Sequence, residues 1–215
     1  MLRTFITVLL VAGSALASPL ANQYIDGVLN SALRNEIRAQ RLDPAVLQDF
    51  HTEFEDKVAI IGKVKGRADY TKGKLTGLSD ARRYSECNGP YYSFGAKSIN
   101  CTISFDNLKM EYDGKLKYGK MPKVNIKAKA NITNTVIFIE VSSAAQHIPP
   151  SLKNFLFQHV GYMQMKFSGL GPLNKFTKFL EEGFKAYAEA QIFNSMTQRF
   201  QLALNRAVSL VPMPN

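Results

Sequence analysis

The sequence predicts an α+β fold: an elongated single domain in which a curved antiparallel β-sheet wraps a long C-terminal α-helix, with an amphipathic helix at the N-terminus. Three patterns lead there. Apolar residues recur every three or four positions from Ala21 to Gln40. They alternate strictly with charged ones over Leu108–Tyr118. They then trace one broad helical face from Leu173 to Leu204. Apolar spacing of three and four marks a helix with one buried stripe, and spacing of two marks a strand with one dry face.

The first 17 residues are a targeting signal by pattern. Arg3 gives a positive start, Phe5–Ala12 a short apolar run, and Ala15-Leu16-Ala17 a small-x-small cleavage site. The run is about half of the ~20 apolar residues a bilayer span needs, and no later stretch is longer. The expected division is therefore a signal peptide at 1–17 and one domain at 18–215, secreted and soluble, not an integral membrane protein.

Tyr24, Ile25, Val28, Leu29, Ala32, Leu33 and Ile37 form the stripe of the first helix. It is expected to stop near Arg41, because Asp43 precedes Pro44 and is pushed out of helical geometry. Residues 43–55 read as a connector. From Lys57 the period becomes two: Val58, Ile60, Val64, Ala68 and Tyr70 alternate with Lys63, Lys65, Arg67 and Asp69 as one strand. Residues 108–118 and 123–133 repeat it more cleanly, and Gly114 and Gly119 suggest bulges or bends. Val136–Val141 is apolar on both faces, as for a central strand. Pro149-Pro150 interrupts, and Met163, Met165 and Phe167 resume the alternation.

Cys87 and Cys101 are the only cysteines. In an oxidising compartment two thiols in one chain usually pair. With Asn88-Gly89-Pro90 as a turn between them, they would staple a hairpin; two free buried thiols are the alternative. Two sequons, Asn100-Cys101-Thr102 and Asn131-Ile132-Thr133, offer glycosylation at Asn100 and Asn131. Strand alternation sets both asparagines opposite the apolar face, toward solvent.

Ser168-Gly169-Leu170-Gly171-Pro172 is a turn into the last helix, with Pro172 at its first position. The helical face runs to about Val208, and 36 residues would extend ~54 Å. That is long for a chain of 215 residues, so the sheet is expected to lie along the helix. Gly183, inside the pattern, suits a kink or a close strand approach.

Chemistry is sparse. Gly169-Leu170-Gly171 lacks the third glycine and βαβ context of a dinucleotide loop, and Gly77-Leu78-Ser79-Asp80-Ala81 is only loosely a nucleophile elbow. His51, His147 and His159 lack neighbours at metal-ligand spacing. No catalytic role, metal or cofactor is expected. The charge is more informative. The chain has 27 Lys+Arg against 17 Asp+Glu, and residues 57–129 hold sixteen basic against six acidic residues. That excess suits an anionic lipid surface, although lysines on a wet strand face also guard edges from pairing. Secretion and the lack of an RNA-binding aromatic motif speak against nucleic acid. Fourteen Phe, nine Tyr and seven Met gather on the faces that meet between sheet and helix. They describe either a filled core or an incompletely filled one with room for a hydrophobic guest.

The segments Lys74-Leu75-Thr76-Gly77-Leu78, Leu108-Lys109-Met110-Glu111-Tyr112 and Phe167-Ser168-Gly169-Leu170-Gly171-Pro172-Leu173, in this order before the long helix, resemble single-domain arthropod proteins of the tubular lipid-binding superfamily. Mite group 7 allergen-like proteins are the nearest look-alikes. Takeout, juvenile-hormone-binding and bactericidal permeability-increasing proteins are more distant. The likeness spans residues 22–208. It implies a curved sheet round the long helix, a lipid-like ligand in an apolar groove, and no catalysis. One departure is that the hormone-binding and takeout proteins carry a disulfide near the N-terminus, which this chain lacks.

The expected function is thus a secreted, non-enzymatic carrier of a hydrophobic small molecule or lipid. Its wall would be Leu108, Met110 and Tyr112, Val136 and Phe138, Met163, Met165 and Phe167, and on the helix Phe176, Phe179, Leu180 and Phe184. The rival is a cationic protein that captures anionic bacterial lipid or membrane through Lys115, Lys117, Lys120, Lys123, Lys127 and Lys129. A third reading is a structural or interaction protein with a full core.

Overall fold

A computed structural model describes residues 19–58, 62–93, 95–144 and 148–214. The expected signal peptide, Ile60 and His147 lie outside the described residues. Helix α1 covers residues 19–39 and contains one wider, π-type turn at Val28–Leu33. Its stripe from Tyr24 to Ile37 is buried. The helix closes at Arg41, which adopts left-handed backbone geometry (φ 52°), with Leu42 N–H donating to Ile37 O at 2.9 Å.

Among the described residues eleven strands follow, all of their pairings antiparallel. They are β1 (Ala45–Val46), β2 (Phe50–Val58), β3 (Gly62–Thr76), β4 (Arg82–Arg83), β5 (Asn88–Ser93), β6 (Ala96–Phe105), β7 (Leu108–Tyr118), β8 (Val124–Thr133), β9 (Thr135–Ser143), β10 (Ser151–His159) and β11 (Tyr162–Ser168). One sheet runs β1-β3-β7-β8-β11 with β2 also on β3; the other runs β10-β9-β6-β4 with β5 also on β6. The chain turns a corner between sheets after β3, β6, β8 and β10. At the last corner Gly161 lies against β8 so closely that any Cβ would sit 1.5 Å from Thr133 O, so only glycine fits there.

A 3₁₀ turn at Gly171–Phe176 leads into helix α2, residues 177–209, with a second π-type turn at Ser195–Phe200. At ~1.5 Å per residue this helix is about 50 Å long. The first sheet curls round its N-terminal half, with both edge strands against it: Phe54 of β2 stacks on Phe179 and Phe167 of β11 meets Phe184. The second sheet and α1 enclose the C-terminal half, where Phe105 and Phe155 pack on Phe200 and Tyr24 OH donates to Val208 O. Both halves share one contiguous apolar core. No described helix is long and apolar enough to cross a membrane.

Several expectations need correction. The supposed connector contains β1 and most of β2, and the single strand from Lys57 to Tyr70 is a hairpin, with Val58 paired to Gly62. The interruption at Pro149-Pro150 is followed by β10, which the alternation missed. Pro172 opens the 3₁₀ turn and not the α-helix. The irregular pairing near Gly114 arises in the facing strand, at Lys72-Gly73, where β3 slips against β7. Gly119, with φ 52°, does turn the chain. Cys87 and Cys101 are bonded, Cα atoms 4.5 Å apart, at the start of the β5–β6 pairing. Asn88-Gly89-Pro90 forms a bulge in β5 and not its turn. Asn131 is exposed as expected, but Asn100 is half-buried and its Oδ1 is enclosed without a hydrogen-bond partner among the described residues.

Candidate functional site

The seam between α2 and the first sheet is built from alternating inward residues. On β7 these are Leu108, Met110 and Tyr112, nearly or fully buried. On β11, Met163, Met165 and Phe167 pair across to Ile132, Ala130 and Ala128 of β8, where small residues leave room for the larger side chains beside them. On the helix, Phe176, Leu180 and Phe184 recur at spacing four and are at most 1% exposed. These nine expected residues meet in one apolar layer.

Three others do not lie in that layer. Phe179 is 40% exposed and stands on the flank of the helix, stacked on Phe54 at 5.4 Å. Val136 and Phe138 occupy the far side of the second sheet. They register with Ser104 and Thr102 of β6, while Ile137, Ile139 and Val141, between them in sequence, face the core with Ile99, Cys101 and Ile103. A strand apolar on both faces gave no period from which to choose its inward side.

Sequence reasoning also passed over half of the aromatic wall. Phe50 lies between Tyr70 (4.6 Å) and Tyr187 (4.0 Å), stacked on both, and Phe184 completes the box at 5.2 Å from Tyr70 and 5.8 Å from Tyr112. Nearer the helix start, Phe176 sits 4.3 Å from Tyr118 and 5.3 Å from Phe54. Strand β2 carried the signal: Phe50, Thr52, Phe54 and Asp56 alternate with His51, Glu53, Glu55 and Lys57. Thr52 and Asp56 hid it among apolar positions.

A few polar groups fix this layer. Tyr112 OH donates to Gln48 O at 3.0 Å, and Gln48 N–H donates to Gln191 Oε1 on α2 at 3.3 Å. Tyr118 OH donates to Asp56 Oδ2 at 2.7 Å, which raises the phenol's pKa, and burial adds to the rise. Lys175 lies over the rings of Phe176 (4.8 Å) and Tyr118 (5.7 Å). Burial raises the Tyr112 phenol, with Tyr187 and Asp49 adding to it. Burial pushes Tyr70 up to about 12, partly offset by the Thr52 hydroxyl beside it. All of these phenols are neutral at physiological pH.

The seam reaches the surface between α2 and β2. Phe54 against Phe179 and Phe50 against Tyr187 close it as two stacked pairs, with Phe179 and Tyr187 40% and 36% exposed. Between the pairs lie Thr52 and Gly183. A Cβ on Gly183 would come 3.1 Å from Thr52 Cβ, so the close strand approach expected at this glycine is present.

The six lysines of the rival reading are spread over the outer face and one end of the first sheet. Lys115, Lys117, Lys127 and Lys129 point outward from β7 and β8, and Lys120 and Lys123 belong to the turn between them. Three of the six meet opposite charge across the strands, while Lys117 registers with Arg67. Lys129 Nζ is 2.7 Å from Glu111 Oε1, and Lys115 and Lys127 register with Asp69 and Asp113. Lys129 in turn holds the Glu111 carboxyl below its ordinary range. The outer face therefore mixes paired charges with a remaining cationic excess toward the turn that holds Lys117, Lys120 and Lys123. A depression of about 150 Å³ on it is lined by both signs: Lys72, Lys74, Lys127 and Lys129 with Glu111 and Asp113.

Residues 20–198 match the family model described as Group 7 allergen. The mite allergen Lep d 7 of Lepidoglyphus destructor is 24% identical over 172 residues, covering 80% of this chain and 76% of that protein. Among solved structures, a lipopolysaccharide binding protein superposes with a TM-score of 0.53 at 15% identity over 86% of this chain, which spans 40% of that protein's length. Takeout 1 of Epiphyas postvittana gives a TM-score of 0.45 at 13% identity, over 87% of this chain and 92% of that one.

Proposed function

The chain belongs to the group 7 allergen family, and on that premise we propose that it is a secreted, non-enzymatic carrier of a hydrophobic small molecule or lipid held between α2 and the inner face of the first sheet. The observation that carries this reading is the seam along β2. A core designed only for stability has no need to leave large aromatic rings half in solvent. Here Phe179 and Tyr187 stand at the surface and stack on strand residues that lead inward to Tyr70, Phe176 and Phe184. Parting two ring stacks costs far less than opening the buried layer beneath, because each stacked pair adds only about 0.5–1.5 kcal/mol beyond its burial. The helix can therefore act as the movable wall of an apolar site. Binding would come from apolar burial at about 25 cal/mol per Å², less the cost of ordering.

Native mass spectrometry of the full chain secreted from a eukaryotic host, followed by organic extraction, tests this directly. A polypeptide mass beginning at Ser18, a glycan on Asn131, and a discrete added mass lost on extraction as lipid are the expected results. Extracted protein should then take up a fluorescent apolar probe with an affinity that barely responds to salt, since neutral ligands are not screened. A bare polypeptide that takes up no apolar probe would overturn the carrier reading.

A further inference from the structure

Among the described residues, the seam contains one pair of enclosed hydroxyls whose donors are not all satisfied. Tyr70 is fully buried, and neither its hydroxyl nor Thr52 Oγ1, also enclosed, has a hydrogen-bond partner among the described residues. The two hydroxyls bring two O–H donors. Even a bond between them would leave one donor unspent, in surroundings where an unmade hydrogen bond is costly. Their position is specific. Thr52 lies between the Phe54/Phe179 and Phe50/Tyr187 stacks, opposite Gly183, where the helix presents no side chain to the strand, and Tyr70 stacks on Phe50 with its hydroxyl beside that of Thr52.

We propose that the Tyr70 and Thr52 hydroxyls form a head-group subsite for a neutral, carbonyl-bearing lipid, such as an ester, ketone or aldehyde, whose chain lies along the aromatic layer. The inference rests on the carrier reading and narrows it. A carbonyl oxygen supplies the acceptor that the free O–H lacks, and Tyr70, a phenol with an ordinary pKa near 10, is a protonated donor at neutral pH. A carboxylate fits less well. No lysine or arginine is among the buried residues described, so a fatty-acid anion here would be a buried charge without a counter-ion. A plain hydrocarbon would leave the hydroxyls as they are.

The test uses delipidated full-length protein and three chain-matched probes, methyl oleate, heptadecene and oleate, each competing against a bound fluorescent apolar dye. Wild type should hold the ester about tenfold more tightly than the hydrocarbon, and more tightly than the acid at neutral pH. Tyr70→Phe should abolish the ester's advantage while leaving heptadecene affinity and melting temperature no lower than in wild type. Thr52→Val, which keeps the side chain's shape, should reduce the advantage and serves as the second variant if Tyr70→Phe does not fold. Equal binding of ester and hydrocarbon in wild type, or an ester preference that survives both substitutions, would overturn the subsite and leave the carrier intact. Failure of all three probes and the dye would overturn the carrier itself.

Discussion

The ring of Tyr112 lies directly against the backbone of Gly73, so that a Cβ at that position would fall 2.3 Å from the ring's Cε1 and Cζ. Tyr112 cannot retreat, because Phe50 and Phe184 pack against it edge-on at 5.1 and 5.8 Å and its hydroxyl is held by Gln48 O. Gly73→Ala should therefore destabilise the protein by about 1–3 kcal/mol, as overpacking does. Gly27, within α1, is the opposite case: a Cβ there meets nothing within 4 Å. Gly27→Ala should stabilise by about 0.5–1 kcal/mol. Urea denaturation of both variants would show opposite shifts in midpoint; a Gly73→Ala midpoint no lower than wild type would contradict the packing at Gly73.

The buried layer and its rim should respond differently to truncation. Phe184 touches rings from β2, β3, β7 and β11, and Phe184→Ala should cost about 3–5 kcal/mol. Phe179, 40% exposed, should cost only about 1 kcal/mol when cut to alanine. Phe179→Ala should also quicken uptake of an apolar dye, measured by stopped-flow fluorescence, because one of the two stacks over the seam is gone. Equal losses of stability at both positions would make Phe179 part of the core and not of an entrance.

Cys87 and Cys101 close a loop with a sequence separation of 14, for which chain entropy gives about 3 kcal/mol. The double Cys87→Ser, Cys101→Ser variant should lose roughly that much, read from denaturation under non-reducing conditions. Asn22 ties the same corner to α1, its Oδ1 accepting from Cys87 N–H at 2.8 Å. A loss well below 1 kcal/mol would mean that this attachment already restrains the loop without the bond.

Buried phenols set the alkaline limit of stability. Burial raises Tyr24, Tyr70 and Tyr112 above the ordinary value near 10, Tyr70 to about 12. Above pH ~10 the unfolded chain loses protons that the folded chain keeps. Since stability falls with pH wherever the folded state binds more protons, it should be flat below pH ~10 and drop from there through pH ~12. The acid limit has the reverse sign. Burial alone would raise Glu140, but hydrogen bonds from Lys153 and Asn154 outweigh it and lower the carboxyl's pKa, so this contribution is lost as pH falls through the carboxylate range. Urea midpoints against pH, with phenolate absorbance as a second signal, would check both; a midpoint unchanged to pH ~12 would refute the alkaline part.

What could be read from sequence was whatever the chain's own period revealed. Strands β7 and β8 alternate without interruption, and so their inward residues were legible one by one. Strand β10 was not. Its inward Leu152, Phe155 and Phe157 are spaced three and then two, because pairing with β9 slips at Lys153. The stacked rings Phe50 and Phe54 were masked by the intervening Thr52. The pairing of charges was hidden for another reason: a count along the chain gives the excess but not the arrangement, whereas the strands place Lys129 beside Glu111 and Lys127 opposite Asp113. Cross-strand partners are far apart in sequence and have no local signature.

Strand β9 gives the sharpest check of which face is which. Ile139 pairs with Cys101 and Phe155 and is fully buried, whereas Phe138 pairs with Thr102 and Leu156 on the opposite side, where Leu156 is 57% exposed. Because side chains alternate with a period of two, neighbours on one strand belong to different environments. Ile139→Lys puts a charge into the apolar core and should prevent folding. Phe138→Lys should cost about 1 kcal/mol, its long apolar stem covering Leu156 while the ammonium reaches water, and it should leave apolar dye uptake unchanged. Were Phe138 part of the ligand wall, a charge there would abolish uptake. A folded Phe138→Lys protein that binds no dye would therefore reverse the assignment of this strand.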